Sequence, residues 1–188
     1  MNLPNKLTLL RILMIPLFVA LYYISAIPYH FTISAVIFAL AAFTDFLDGY
    51  IARKYNIVTD LGKFLDPIAD KVLVSSALII MLVPVGGALL LPNYAGIAVA
   101  IILARELVVS GFRMVASSKG MVIAADLSGK IKTFVTDIAI VVILVSGDFA
   151  LGGYLNLAGL ILLGIATILT IISGTECIVK NRAVLKDK

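Results

Sequence analysis

Residues 45–70 read DFLDGYIARKYNIVTDLGKFLDPIAD, and four of the aspartates fall into two close pairs. Asp45 and Asp48 are three apart; Asp66 and Asp70 are four apart. On a helix, either spacing puts both side chains on one face. Apolar residues fill the positions between them, so helix is expected on both sides. The run holding Arg53, Lys54, Asn56, Asp60 and Gly62 suits a water-exposed connection. Four like charges in apolar surroundings repel strongly. Left alone they would protonate or unfold the site. A divalent cation removes the conflict, and carboxylate oxygens suit Mg²⁺, Mn²⁺ or Ca²⁺ better than Zn²⁺. The plainer reading is a pair of solvated helix ends with acidic faces. The flanks decide between the two.

Outward from this stretch the chain is apolar. Ile12–Thr44, Val72–Ala104 and Phe149–Thr175 contain no Asp, Glu, Lys or Arg. Each exceeds the ~20 residues that one helix needs to cross a bilayer. Over its 188 residues the chain is 62% hydrophobic and 14% charged, against about 25% charged for a soluble domain. Its mean hydropathy is +1.13. Continuous apolar runs, not alternation, exclude a strand barrel. The fold expected is all-α: a polytopic membrane protein built as a six-transmembrane-helix bundle. In a membrane, an acidic cluster is a functional site by default.

Breaks in the apolar pattern place the spans at about 7–26, 31–53, Gly62 to Pro84, 93–117, 123–147 and 152–178. One membrane domain over 1–188 is expected, with no internal repeat. The connections near 27–30, 85–92 and 148–151 contain no Lys or Arg. Basic residues gather at the opposite ends: Lys6 and Arg11, Arg53, Lys54 and Lys63, Arg113 and Lys119, Lys130 and Lys132, and the tail. By the positive-inside rule both termini are cytoplasmic, and so are the four aspartates. The N-terminal MNLPNKLTLLR runs into apolar sequence without an obvious cleavage site, and reads as a retained first helix. A single cysteine, Cys177, rules out an intramolecular disulfide and is expected to pack. The net charge of +4 suits anionic headgroups and is too small to argue for nucleic acid. His30 and the tyrosines Tyr22, Tyr23, Tyr29 and Tyr94 are expected at the membrane interface. Asp148 is expected in an outer loop, and Glu176 as a helix-end charge.

Two cations among Asp45, Asp48, Asp66 and Asp70 would favour displacement at phosphorus, where they stabilise attacking and leaving oxygens. Gly49 lets a ligand approach the backbone closely. Arg53, one turn on, offers a planar fork for a phosphate. A substrate with a lipid tail and a phosphate-rich head fits such a boundary site.

The pattern D-x2-D-G-x2-A-R-x8-G-x3-D-x3-D is met by Asp45, Asp48, Gly49, Ala52, Arg53, Gly62, Asp66 and Asp70 without departure. It resembles the signature of the CDP-alcohol phosphotransferases. The resemblance implies six transmembrane helices, a homodimer, and two Mg²⁺ or Mn²⁺ ions held by Asp45, Asp48, Asp66 and Asp70. It implies Asp70 as general base, with Gly49, Arg53 and Thr59 on the CDP part of the donor. Three further stretches are similar to the phosphatidylglycerophosphate synthases: NLPNKLTLLR at 2–11, ARELVVSGFR at 104–113 and GKIKT at 129–133. In the first, Asn5 to Thr8 would approach the nucleotide.

An acceptor that carries its own phosphate needs a cationic pocket beside the metals. Arg113 and Lys130 are the foremost candidates, with Arg105 and Lys132 behind them. Arg105 and Glu106 read equally well as a buried structural pair, and Lys132 is expected to face headgroups. The function expected is transfer of a phosphatidyl group from CDP-diacylglycerol to sn-glycerol 3-phosphate at the cytoplasmic membrane, an enzyme of phospholipid biosynthesis. The alternatives are the same chemistry on another acceptor (phosphatidylglycerol, inositol phosphate or serine) and, from other classes, a cation transporter or a scaffold. A transporter would spread its acidic residues along a path across the membrane. A scaffold leaves the cost of burying four carboxylates unexplained.

Overall fold

A computed structural model describes residues 3–55, 60–121, 123, 127–149 and 152–185; the side chains of 3–5, 46, 48–55, 60–64, 152, 183 and 185 lie outside that description. Among the described residues there are six α-helices and no strand. They are α1 (Leu3–Tyr23), α2 (His30–Tyr55), α3 (Asp60–Ile80), α4 (Ala95–Ser118), α5 (Leu127–Ser146) and α6 (Gly152–Lys180), followed by a short 3₁₀ turn (Arg182–Leu185). Each helix falls on one of the expected segments, within a few residues at its ends.

Among the described residues, three helices are long and apolar enough to cross a membrane: Lys6–Tyr23, Ala95–Ser118 and Gly153–Lys180. In α2 the described apolar stretch is His30–Asp45. α3 and α5 open on charged turns, DLGKFLD and LSGKIK, which interrupt their apolar sequence. The exposed surface is nonetheless strongly apolar. Leu9, Leu13 and Leu17 on α1, Val36, Leu40 and Phe43 on α2, and Ile161, Ile165, Ile168 and Ile172 on α6 are all exposed. They recur every three or four residues, so each helix turns a continuous apolar stripe outward. A soluble protein hides such stripes; hydrocarbon is their natural solvent.

The core runs along the bundle axis through Phe18, Phe38, Leu73, Leu78, Met81, Ile140, Ile143 and Leu144. α1 packs chiefly on α2, and α5 on α6; α1 also meets α3, and α2 meets α5. Gly159 sets the α5–α6 approach, since a Cβ there would lie 3.2 Å from the Ile143 backbone nitrogen. Small residues at such crossings let membrane helices close in.

One end of the bundle carries the turns after α1, α3 and α5. Gly86 and Gly87 have φ of 58° and 84°, which lets Val85 and Ala88 exchange two backbone hydrogen bonds of 2.9 Å across a tight turn. Asp148 Oδ2 accepts a 2.5 Å hydrogen bond from the Thr32 amide, one of the donors that the start of α2 leaves unpaired. Tyr22 and His30 depart from expectation. Tyr22 is fully buried, with its hydroxyl donating to the Val83 carbonyl at 3.4 Å. His30 is buried, its Nδ1 2.9 Å from the Tyr22 carbonyl and its ring against Phe31. Both join the core because α1 and α2 meet there. Tyr23, Tyr29 and Tyr94 are exposed. Cys177 is buried with Val109, Phe112, Ala116 and Val184 in a second, smaller cluster.

Candidate active site

The other end gathers the charges. Asp45 ends the apolar half of α2, and Asp66 and Asp70 lie one turn apart on α3. α1 ties the two helices together through these carboxylates. Arg11 Nη1 is 2.8 Å from Asp45 Oδ1, and Arg11 Nε donates to the Ala41 carbonyl at 3.3 Å. Thr8 Oγ1 donates to Asp66 Oδ1 at 2.6 Å. Thr8 and Arg11 are three apart and share a face of α1. The Arg11 side chain is 0% exposed, whereas that of Asp45 is 41% exposed. The guanidinium is therefore enclosed, and the carboxylate it holds is presented at a surface.

Asp45 lies in the field of both Asp70 and Asp66 as well as Arg11. Both of these contacts are to an Oδ1, and each carboxylate carries a second oxygen. Hard carboxylate oxygens on neighbouring helices are the donor set that Mg²⁺ or Mn²⁺ takes. Among the described residues no three such side chains converge on one point. The fourth aspartate of the motif, Asp48, has its side chain outside the described residues, as do Asn5, Gly49 and Arg53, while Thr59 lies outside altogether. The donor chemistry fits a divalent ion, with Asp48 needed to complete it.

Beside the aspartates, α3, α4 and α5 enclose a crevice of about 370 Å³ counted to its open mouth. Asp70, Lys71, Glu106, Lys132, Thr133 and Asp137 supply most of its polar lining. Lys132 is buried and its Nζ pairs with Glu106 Oε1. This corrects the expectation that Lys132 faces headgroups: it lies on the α5 face turned to α4, and its ammonium points into the bundle. Arg105 Nη1 shares the same Glu106 oxygen at 3.1 Å, and Nη2 donates to Ser173 Oγ at 2.9 Å. Gly174 seats this guanidinium, since a Cβ there would come within 2.9 Å of Arg105 Cγ.

Arg113, half-buried, keeps a buried Nε with no hydrogen-bond partner among the described residues. Lys71 feels both Arg113 and Arg105, and Lys132 feels Arg105 and Lys71. Lys71, Lys132, Arg105 and Arg113 thus form a cluster of cations, set among the carboxylates of Asp70, Glu106 and Asp137. Lys130 is exposed and outside this group. Sequence reasoning passed over Asp137, whose buried Oδ1 also has no hydrogen-bond partner among the described residues. The signal was present: one carboxylate inside the apolar run of α5.

Residues 1–172 match the model of a family described as CDP-alcohol phosphatidyltransferase. The chain is 39% identical to the CDP-diacylglycerol–glycerol-3-phosphate 3-phosphatidyltransferase of Bacillus subtilis, over 98% of this chain and 97% of that one. It is 42% identical to the protein of the same name from Rickettsia bellii, over 92% and 91%. It is 40% identical to a probable phosphatidylglycerophosphate synthase of Mycobacterium tuberculosis, over 95% and 81%.

Proposed function

The chain belongs to the CDP-alcohol phosphatidyltransferase family, and from that premise we propose that it joins CDP-diacylglycerol to sn-glycerol 3-phosphate, giving phosphatidylglycerophosphate and CMP. One observation supports the choice of acceptor: Lys71 and Lys132 line the crevice with Asp70, and Arg105 and Arg113 act on Lys71 from close by. An acceptor that brings a second phosphate needs such cations near the base, and one such as serine does not.

Asp45, Asp48, Asp66 and Asp70 would hold two Mg²⁺ or Mn²⁺ ions, which supply charge neutralisation at the donor pyrophosphate when bound. Asn5, Thr8, Gly49, Arg53 and Thr59 bind the CDP portion. Arg113 and Arg105, joined by Lys132 and Lys71, hold the acceptor phosphate, and the exposed Lys130 takes no part in holding it. Asp70 takes the proton from the acceptor's primary hydroxyl. The oxygen attacks the phosphorus that bears diacylglycerol; a new P–O bond forms, the bridging P–O bond breaks, and CMP leaves with the electron pair. General-base help of this kind contributes ~10²–10⁴ in rate. The partition of charge supports an arrangement of six spans in the cell membrane, with both termini and the site on the cytoplasmic side. A single domain working as a homodimer completes the proposal.

The test is CMP release by purified protein supplied with CDP-diacylglycerol and a panel of alcohols. We expect release with sn-glycerol 3-phosphate and Mg²⁺ or Mn²⁺, its loss on chelation, and little release with serine, inositol phosphate or phosphatidylglycerol. Preference for one of those acceptors would overturn the assignment. Asp70→Asn should reduce release by at least ~100-fold; near-normal turnover would remove Asp70 from the base role.

A further inference from the structure

Asp137 is a carboxylate that the mechanism above does not use. It lines the crevice together with Asp70, one turn beyond Thr133 and five residues beyond Lys132 on α5. Its Oδ1 is buried and accepts no hydrogen bond among the described residues. A buried acceptor left without a donor costs free energy, more so when it belongs to a carboxylate. Among the donors of the lining, Ser75 offers a hydroxyl; the other hydroxyls are engaged elsewhere. The Thr133 and Thr136 hydroxyls donate to the Gly129 and Lys132 carbonyls, at 3.2 and 2.8 Å. The Lys132 ammonium is directed at Glu106. Asp137 opens on the crevice it shares with Asp70, in the fields of Asp70, Asp45 and Lys132. A hydroxyl suits such an acceptor: it donates one hydrogen bond and adds no charge among the carboxylates.

We propose that Asp137 is a positioning residue that accepts a hydrogen bond from the secondary hydroxyl of the acceptor. This rests on the acceptor assigned above. The cations hold the phosphate at one end, Asp70 meets the primary hydroxyl at the other, and Asp137 grips the hydroxyl between them. Three contacts on three carbons fix which oxygen faces the phosphorus. A site built around a hydroxyl rejects the analogue lacking it, because its own polar group is then left unpaired.

The experiment compares sn-glycerol 3-phosphate with 3-hydroxypropyl phosphate, which lacks only the middle hydroxyl, by kcat/KM for CMP release. Wild type should prefer glycerol phosphate by roughly 100-fold or more. Asp137→Leu should bring the ratio within about threefold of unity, chiefly by losing glycerol phosphate turnover, because the penalty for a missing hydroxyl disappears with its partner. Asp137→Asn, which keeps shape and an acceptor oxygen, should lower the ratio about tenfold, and it decides the matter if the leucine variant does not fold. A merely structural role would slow both acceptors equally, so an unchanged ratio in either variant overturns the proposal, as does a wild-type ratio near unity. If glycerol phosphate gave no CMP at all, the acceptor assignment would fall and take this proposal with it. If it gave CMP with the ratio unmoved by substitution, this proposal alone would fall.

Discussion

Arg11 shows how a single side chain can organise an acidic site. Its guanidinium is enclosed by the bundle and reaches both Asp45 and the Ala41 carbonyl. Removing one partner of a fully buried ion pair costs ~3–5 kcal/mol; with Asp45 partly exposed, a loss of about 2–3 kcal/mol is the better expectation. Arg11→Leu should therefore slow CMP release by roughly 30- to 150-fold if the loss falls on the transition state. Arg11→Lys should recover part of it, since a lysine keeps the charge and loses the fork. Thr8→Val removes the 2.6 Å hydrogen bond to Asp66 and should cost about tenfold or more, with Thr8→Ser close to wild type. Steady-state CMP release at saturating Mg²⁺ reads both. The basic charge of position 11 was legible beforehand; its partner was not, because Arg11 and Asp45 lie 34 residues apart and meet only when α1 packs on α2.

Among the helices, the α5–α6 pair carries the most contact and has the clearest weak point. Gly159 leaves no space for a methyl group against Ile143, whereas Gly164 has nothing within 4 Å of the position a Cβ would take. Gly159→Ala should lose about 1–3 kcal/mol through overpacking, lowering Tm by roughly 2–12 °C in a detergent thermal melt. Gly164→Ala should leave Tm unchanged or raise it slightly, since alanine favours helix over glycine where there is room for its methyl. An equal effect at both positions would mean that helix propensity, not the close approach, sets the response. The two glycines look alike in sequence. Only the rotation of α6 about its axis decides which one faces α5 and which faces outward.

Taken together, the bundle has two unlike ends. Ala26 is exposed at the end with the 27–30 connection, which has no Lys or Arg, and Ser118 is exposed near Lys119 at the end of α4. On the proposed topology the two are on opposite sides of the membrane. In a Cys177→Ser background, a membrane-impermeant maleimide should label Ala26→Cys in intact cells and Ser118→Cys only in inverted vesicles. Labelling of both from one side would refute the proposed orientation. Cys177 is buried, so its replacement by serine removes a competing thiol at a modest packing cost.

The local pattern of the chain was enough to establish helices, their approximate ends, an apolar surface and the motif that the family shares. Each of these follows from runs of residues near one another in sequence: continuous apolar stretches, Gly and Pro at the breaks, and carboxylates three or four apart. Which charges neutralise one another was decided by packing. Lys132 turned inward to Glu106, Arg105 settled over Gly174 against Ser173, and Asp137 came to share a crevice with Asp70. A helix has only one face towards each neighbour, and its rotation and depth are set by how side chains interlock with helices distant in the chain. That is a property of the assembled bundle, and no single stretch contains it.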